Sequence, residues 1–149
     1  MPSVYGVPKT MKGGLTWDWA CERLTNSHNY LITTVRPDSR PHTMIVWGIW
    51  PENAYYFSTG SETRKAKNLA ENSNCVVCSE NVEEAVIVEG QARQLANSEI
   101  PQAAFILYLK KYRWKLDPEM GPVFKATPHL VFAIPEKLFP KGATRWRFE

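Results

Sequence analysis

The sequence predicts a mainly β fold with helices, an α+β chain built as one small antiparallel β-barrel. Three observations predict it. Short segments rich in Val, Ile, Thr, Tyr and Phe alternate with turn residues along most of the chain, which is how strands and their connections read. Helical periodicity appears in only two or three windows. The connections are short, so successive strands pair antiparallel, and six or seven such strands close into a barrel. The 149 residues make one domain, long enough for a real core.

Residues 1–14 read as a loose lead-in, with Pro2, Gly6, Pro8, Gly13 and Gly14. A helix follows from Thr16 to Asn26, because Trp17, Ala20, Cys21 and Leu24 recur at helical spacing and Asp18 suits the positive end of the helix dipole. Asn29 to Arg36 reads as a strand, Pro37 to Pro41 as a turn, and His42 to Trp50 as a second strand paired with the first. Gly48 inside that strand marks a bulge or a place where something packs against the backbone. After a turn at Pro51-Glu52-Asn53, a third strand runs from Ala54 to Ser58. A helix ends near Asn72, with Ala66, Leu69 and Ala70 toward the core. Two more strands cover Asn74 to Glu80 and Ala85 to Arg93. A long apolar helix spans Glu99 to Tyr112 with Pro101 in its first turn, buried against the sheet or a second subunit. A Pro-rich loop with Trp114, Pro118 and Pro122 leads to a strand at Leu130 to Ile134. Gly142 to Phe148 closes the chain as a final strand or arm.

The stretch from Tyr55 to Leu69 carries the chemistry. It is a strand, a hydroxyl-rich turn (Ser58-Thr59-Gly60-Ser61) and a helix start with Arg64, Lys65 and Lys67. Ser61 is placed to cap that helix, with Glu62 in its first turn. Free backbone N–H groups, hydroxyl donors and cations together make an anion site, and a phosphate is the anion that suits it.

Other classes are excluded or demoted. A net charge of +3 with scattered basic residues gives no nucleic-acid footprint. No run of 18 apolar residues and no signal-peptide pattern appears, so the expected location is cytoplasmic, with no membrane association. Three cysteines, an odd number, argue against a disulfide framework. Cys75 and Cys78 spell C-x-x-C but bracket Val-Val. Residues three apart on a strand face opposite ways, so packing is favoured over metal or redox use. Six Trp in so short a chain suit a flat ligand or a subunit interface as well as a core.

The hairpin TVRPDSRPHTMIVWG (Thr34 to Gly48), the segment YYFSTGSETRKAKNLAEN (Tyr55 to Asn72), the strand AVIVEGQA (Ala85 to Ala92) and the end ATRWRF (Ala143 to Phe148) resemble the pyridoxamine 5'-phosphate oxidase-like family, the FMN-binding split barrels. The resemblance covers roughly residues 15–148 and is most specific at RKAKNL. It implies a six-stranded split barrel, a homodimer with two cofactor sites at its interface, and FMN or the deazaflavin F420 as cofactor, less often FAD or heme. By position it places Ser58 and Thr59 beside the cofactor phosphate, with Arg64 and Lys65 gripping it and Asn68 assisting. It runs the backbone of Ile45, Val46 and Trp47 along the isoalloxazine edge. It brings Arg145 and Trp146 toward cofactor or substrate, from the same chain or from the partner subunit.

The chain also departs from the family pattern. Met44 and Ile49 stand where pyridoxamine phosphate oxidases carry an Arg and a Lys, Ala85 where they carry a Gln, and Arg145-Trp146-Arg147 where they carry Arg-Leu-His. The expectation is therefore an FMN- or F420-dependent oxidoreductase that moves a hydride to or from a small organic substrate, rather than a pyridoxamine phosphate oxidase. A non-catalytic binder of flavin, F420 or heme is the alternative.

Overall fold

In the computed structural model, which describes residues 14–148, the chain runs α1 (Trp17–Asn26), β1 (Tyr30–Val35), β2 (Pro41–Val46), β3 (Gly48–Ile49), β4 (Tyr55–Ser58), α2 (Arg64–Glu71), β5 (Asn74–Ser79), β6 (Glu84–Gln94), α3 (Gln102–Tyr112), β7 (Val123–Pro135) and β8 (Thr144–Arg147). All but Gly14 of the expected lead-in lies outside the described residues.

The strands form one antiparallel sheet in the order β2-β1-β5-β6-β7-β4-β3, with β8 paired to β7. β2 and β3 are consecutive in the chain, joined only by Trp47. The segment thus pairs with β1 on one side of Trp47 and with β4 on the other. That switch closes the ring: β1, β2/β3, β4, β7, β6 and β5 are six staves, and the barrel is split where Trp47 changes partner. The six-stranded split barrel expected from the sequence is present, with eight strands among the described residues because one stave is broken and β8 is added.

Alternation explains the core. Tyr30, Ile32 and Thr34 of β1, Val77 of β5 and Val86 and Val88 of β6 are buried, while their neighbours in sequence face outward. Burying six such inward side chains, mostly apolar, stabilises by roughly 1.5–3 kcal/mol for each Val- or Ile-sized one before chain entropy is charged. Leu24 and Ala20 of α1 close the end of the barrel near Tyr30, and Ala66 and Leu69 of α2 close the end near Thr34. β6 and β7 pair over their whole lengths except at one register shift, where Gly90 lies opposite Pro128. A Cβ on Gly90 would come within 2.2 Å of the Thr127 carbonyl oxygen, so only glycine fits there.

Several expected boundaries move. β7 begins at Val123, not Leu130. Pro128 disguised it, yet Pro128 sits at the bulge, where proline is tolerated in a sheet. The expected strand from His42 to Trp50 is two strands. The helix cap is Thr63 rather than Ser61: the Thr63 hydroxyl accepts the Ala66 N–H, which leaves Glu62 ahead of the helix and its first turn without an acid. Pro101 precedes α3 rather than lying in its first turn. The expected burial of α3 is not seen in the single chain. Only Ala104 and Tyr108 of α3 are buried, and Ile106 and Leu109 are 58% and 52% exposed. No helix among the described residues is long and apolar enough to cross a membrane.

Candidate functional site

The residues expected to form an anion site come together at the end of β4. Residues 59–63 turn the chain from that strand into α2. The Ser58 hydroxyl donates to the carbonyls of Gly121 and Pro122, at 3.2 and 3.1 Å. Thr63 Oγ1 donates to the Gly60 carbonyl at 2.8 Å, so in the 3.1 Å contact between the two threonines Thr59 is the donor. Both predicted hydroxyls are thus engaged in holding the turn. The donors left over are backbone. The N–H groups of Ser61, Glu62, Arg64 and Lys65 have no partner among the described residues, as expected where a helix begins.

Arg64 is exposed and Lys65 half-buried, and neither is paired with a carboxylate among the described residues. Lys67, two residues on, does reach Glu62 at 3.5 Å. Burial without an acid partner pushes the Lys65 ammonium below its ordinary pKa. A half-buried cation in that condition gains from an incoming anion. Asn68 is fully buried and faces the barrel rather than solvent. Its Nδ2 donates to Thr34 Oγ1 at 3.0 Å, which docks α2 on β1.

Two residues that sequence reasoning did not place here adjoin the helix start. Arg36 and His42 lie at the end of β1 and in β2, joined by the tight turn in which Arg36 N–H donates to the Arg40 carbonyl. Burial, and then the charges of Arg36, Lys65 and Arg64, hold the His42 imidazole below its usual pKa. All three cations therefore act on one point. The signal that finds Arg36 is alternation: it is two residues beyond inward-facing Thr34.

Ile45, Val46 and Trp47 continue β2 away from this point. β2 ends the sheet order, so among the described residues its outer edge is not bonded to another strand. Val46 is buried, while Ile45 is 64% and Trp47 40% exposed. From His42 to Trp47 the edge runs about 17 Å. Trp47 is held flat against Tyr112 of α3, with ring centroids 4.5 Å apart and planes 5° from parallel, and its indole N–H donates to Asn29 Oδ1 at 3.2 Å. A cleft of about 530 Å³ adjoins the other side of the turn, lined by Ser58, Thr59, Gly60, Tyr108, Trp114 and Leu116 among others.

The structure does not bring the two C-terminal candidates to α2 within one chain. Trp146 packs beneath α1, its ring 5.3 Å from that of Trp17. Arg145 pairs with outward-facing Phe132 on the barrel's outer surface. Cys75 is buried and Cys78 half-buried, on opposite faces of β5, and both are free. No group of three or more His, Cys, Asp or Glu able to hold a metal occurs among the described residues.

Solved structures share this architecture. General stress protein 26 from Bacillus anthracis is 19% identical, with a TM-score of 0.65 over 88% of this chain and 97% of that one. A heme-binding protein from Mycobacterium smegmatis is 14% identical, with a TM-score of 0.71 over 89% of this chain and 59% of that one. An F420 reductase is 18% identical, with a TM-score of 0.61 over 74% of this chain and 93% of that one. At these identities the likeness is one of fold. No curated protein matches the sequence. Residues 19–134, most of the barrel, match the family described as pyridoxamine 5'-phosphate oxidase. With the split barrel observed and that match in hand, the chain belongs to the pyridoxamine 5'-phosphate oxidase family.

Proposed function

We propose that the chain is a flavin- or deazaflavin-dependent oxidoreductase, using FMN or coenzyme F420 to exchange a hydride with a small organic substrate. The observation that carries this reading is the start of α2, where two cations and a set of backbone N–H groups have no partner among the described residues and the cations act on His42 of β2. The donor set fits a phosphoryl group: guanidinium and ammonium for charge, helix-start N–H groups for direction. Arg64 and Lys65 hold the phosphate. Asn68, through Thr34, fixes the helix that carries them. Ser58 and Thr59 hold the turn in shape. The edge at Ile45, Val46 and Trp47 offers backbone groups to the polar rim of a planar ring, and the exposed side chains of Met44, Ile45 and Trp47 exclude water from it. The bound flavin or deazaflavin supplies the hydride chemistry, and the protein supplies binding and orientation.

The chain acts as a homodimer in this reading. Ile45, Leu31, Cys78, Ile87 and Phe132 stand side by side across β2, β1, β5, β6 and β7, a mostly apolar row on the outer face ending at Arg145 of β8. Such a row suits a second copy, and Arg145 is then presented to the partner's site, with Trp146 supporting it from beneath. An F420 reductase among the structural neighbours supports a deazaflavin, and the free cysteines suit the reducing cytoplasm.

The test is to titrate purified protein with FMN and with F420 separately and follow fluorescence quenching. Binding at or below micromolar concentrations is expected for one of them. Absence of binding to either at tens of micromolar overturns the reading. Binding without substrate-dependent reoxidation of the reduced cofactor makes the protein a cofactor carrier instead.

A further inference from the structure

His42 lies opposite Thr34 in the β1–β2 ladder, so the two side chains share the inward face of the sheet. Thr34 is fully buried, and its hydroxyl accepts the amide of Asn68. Asn68 follows Arg64 by four residues and Lys65 by three, one turn along the same face of α2. The hydrogen bond that docks the helix therefore also carries Arg64 and Lys65 to His42. Arg36 adds a third permanent charge from the end of β1.

Two atoms at this junction lack partners. His42 Nδ1 and Asn68 Oδ1 are both shut off from solvent and bonded to nothing among the described residues. Buried polar atoms are ordinarily bonded, so two orphans at one point mark a place completed by something from outside. The groups acting on His42 are cations: Arg36 from β1, and Lys65 and Arg64 from α2, the two elements packed against it. Burial first, and then these charges, disfavour the imidazolium. A phosphoryl group settling on Arg64 and Lys65 reverses the sign of that field, and an imidazolium becomes the favoured form beside it.

We infer that His42 is a ligand of the same phosphoryl group as Arg64 and Lys65, and that it takes up a proton when that group binds. The inference rests on the phosphate-site reading above. The step is acid–base only: the imidazole gains one proton from solvent, and its N–H then donates to a phosphoryl oxygen. It also accounts for how a phosphate is held where Met44 and Ile49 carry no charge, because Arg36 and His42 supply charge from the hairpin.

The experiment is calorimetric titration near neutral pH, in two buffers of different ionisation enthalpy, of wild type, His42→Gln and Lys65→Ala. FMN is paired with riboflavin, which lacks the phosphate, and F420 with its phosphate-free riboside. Wild type is expected to take up more protons than His42→Gln with the phosphorylated ligand, the difference approaching one. His42→Gln is expected to bind that ligand about ten-fold more weakly. The phosphate-free ligand binds wild type and His42→Gln alike, which shows that the variant's site is folded. If Lys65→Ala weakens the phosphorylated ligand while His42→Gln matches wild type in affinity and proton count, the inference fails and the phosphate site stands. If phosphorylated and phosphate-free ligands bind all three proteins equally, or neither FMN nor F420 binds, both fall.

Discussion

The phenolic oxygen of Tyr112 stands where the ladder between β1 and β2 stops. Extending their register one pair beyond Asn29 and Trp47 would set His28 opposite Gly48. Instead Tyr112 accepts the Gly48 N–H at 2.9 Å and donates to the His28 carbonyl at 2.7 Å. Lys111 serves the Gly48 carbonyl at 3.0 Å. Two side chains of α3 replace a rung of the sheet, which lets Gly48 leave β1 and pair with β4. Removing the hydroxyl by Tyr112→Phe leaves Gly48 N–H and His28 C=O unserved while keeping the ring stacked on Trp47. A loss of about 1–3 kcal/mol in denaturant unfolding is expected. A loss within error of zero would mean that water replaces the hydroxyl without cost.

Lys65→Ala should weaken binding of the phosphorylated cofactor by about 1.5–3 kcal/mol, the range for a charge-assisted hydrogen bond. The phosphate-free analogue should bind as to wild type, and unfolding should shift little because Lys65 has no ion-pair partner among the described residues to lose. Fluorescence titration with both ligands checks it. An unchanged dissociation constant for the phosphorylated ligand would remove Lys65 from the site.

Which parts of this were legible in the sequence follows from how local their causes are. α1, β1 and β5 were readable because the period of each is set by its own residues and each is bounded by turn residues. The strand, turn and helix start from Tyr55 to Lys65 were readable because a strand, a small-residue turn and two cations are contiguous there. The break at Trp47 was not readable: its run of apolar residues continues unbroken, and the partner that splits it, Tyr112, is 64 residues away from Gly48. The nearness of Arg36 and His42 to the start of α2 was missed for the same reason. Their nearness to Arg64 depends on the bond between Asn68 and Thr34, which no spacing along the chain announces. The resemblance set Ser58 and Thr59 beside the phosphate, and what their spacing could not announce is that their protons go to backbone and to Thr63.

Gly48→Ala should damage the split directly. A Cβ at Gly48 would lie 2.2 Å from the Tyr55 ring, and Tyr55 is fully buried, tilted against Tyr30 at 4.7 Å. Neither ring has room to retreat in a close-packed core. The overpacking should cost about 1–3 kcal/mol, read as a lowered denaturant midpoint. A variant as stable as wild type would show that the barrel gives way at the split rather than at Tyr55.

Leu31→Lys addresses the homodimer. Leu31 sits between Ile45 and Cys78 in the outward row and is 38% exposed in the single chain. A charge there leaves the barrel interior untouched but would be buried without a partner between two copies, at a cost too high for the interface to bear. Light scattering should show wild type as a dimer and Leu31→Lys as a monomer, with an unchanged far-ultraviolet circular dichroism spectrum. A variant that remains dimeric would move the interface off this row.

Lys111 gives the fold a pH dependence whose sign follows from its surroundings. Its ammonium donates to Tyr30 Oη, the Gly48 carbonyl and the Thr25 carbonyl, at 2.7, 3.0 and 3.2 Å. Burial nevertheless lowers its pKa to about 8. An unfolded lysine keeps its proton to about pH 10.4, so between roughly pH 8 and pH 10 this group binds more proton in the unfolded chain than in the native one, and its own contribution to stability rises with pH, while the buried cysteine thiols act in the opposite sense. Above about pH 10 the tyrosines act in the opposite sense. Burial holds the Tyr112 phenol up to about 12, so the native chain keeps protons that the unfolded chain loses. Comparing wild type with Lys111→Met cancels the cysteine and tyrosine contributions. The gap between their denaturant midpoints should move in favour of wild type from about pH 7.5 to about pH 9.5. The shift will be modest, because the group is only half-buried and solvent screens it. Parallel midpoint curves across that window would show that Lys111 keeps an ordinary pKa and that the hydrogen bonds at the split offset its burial in full.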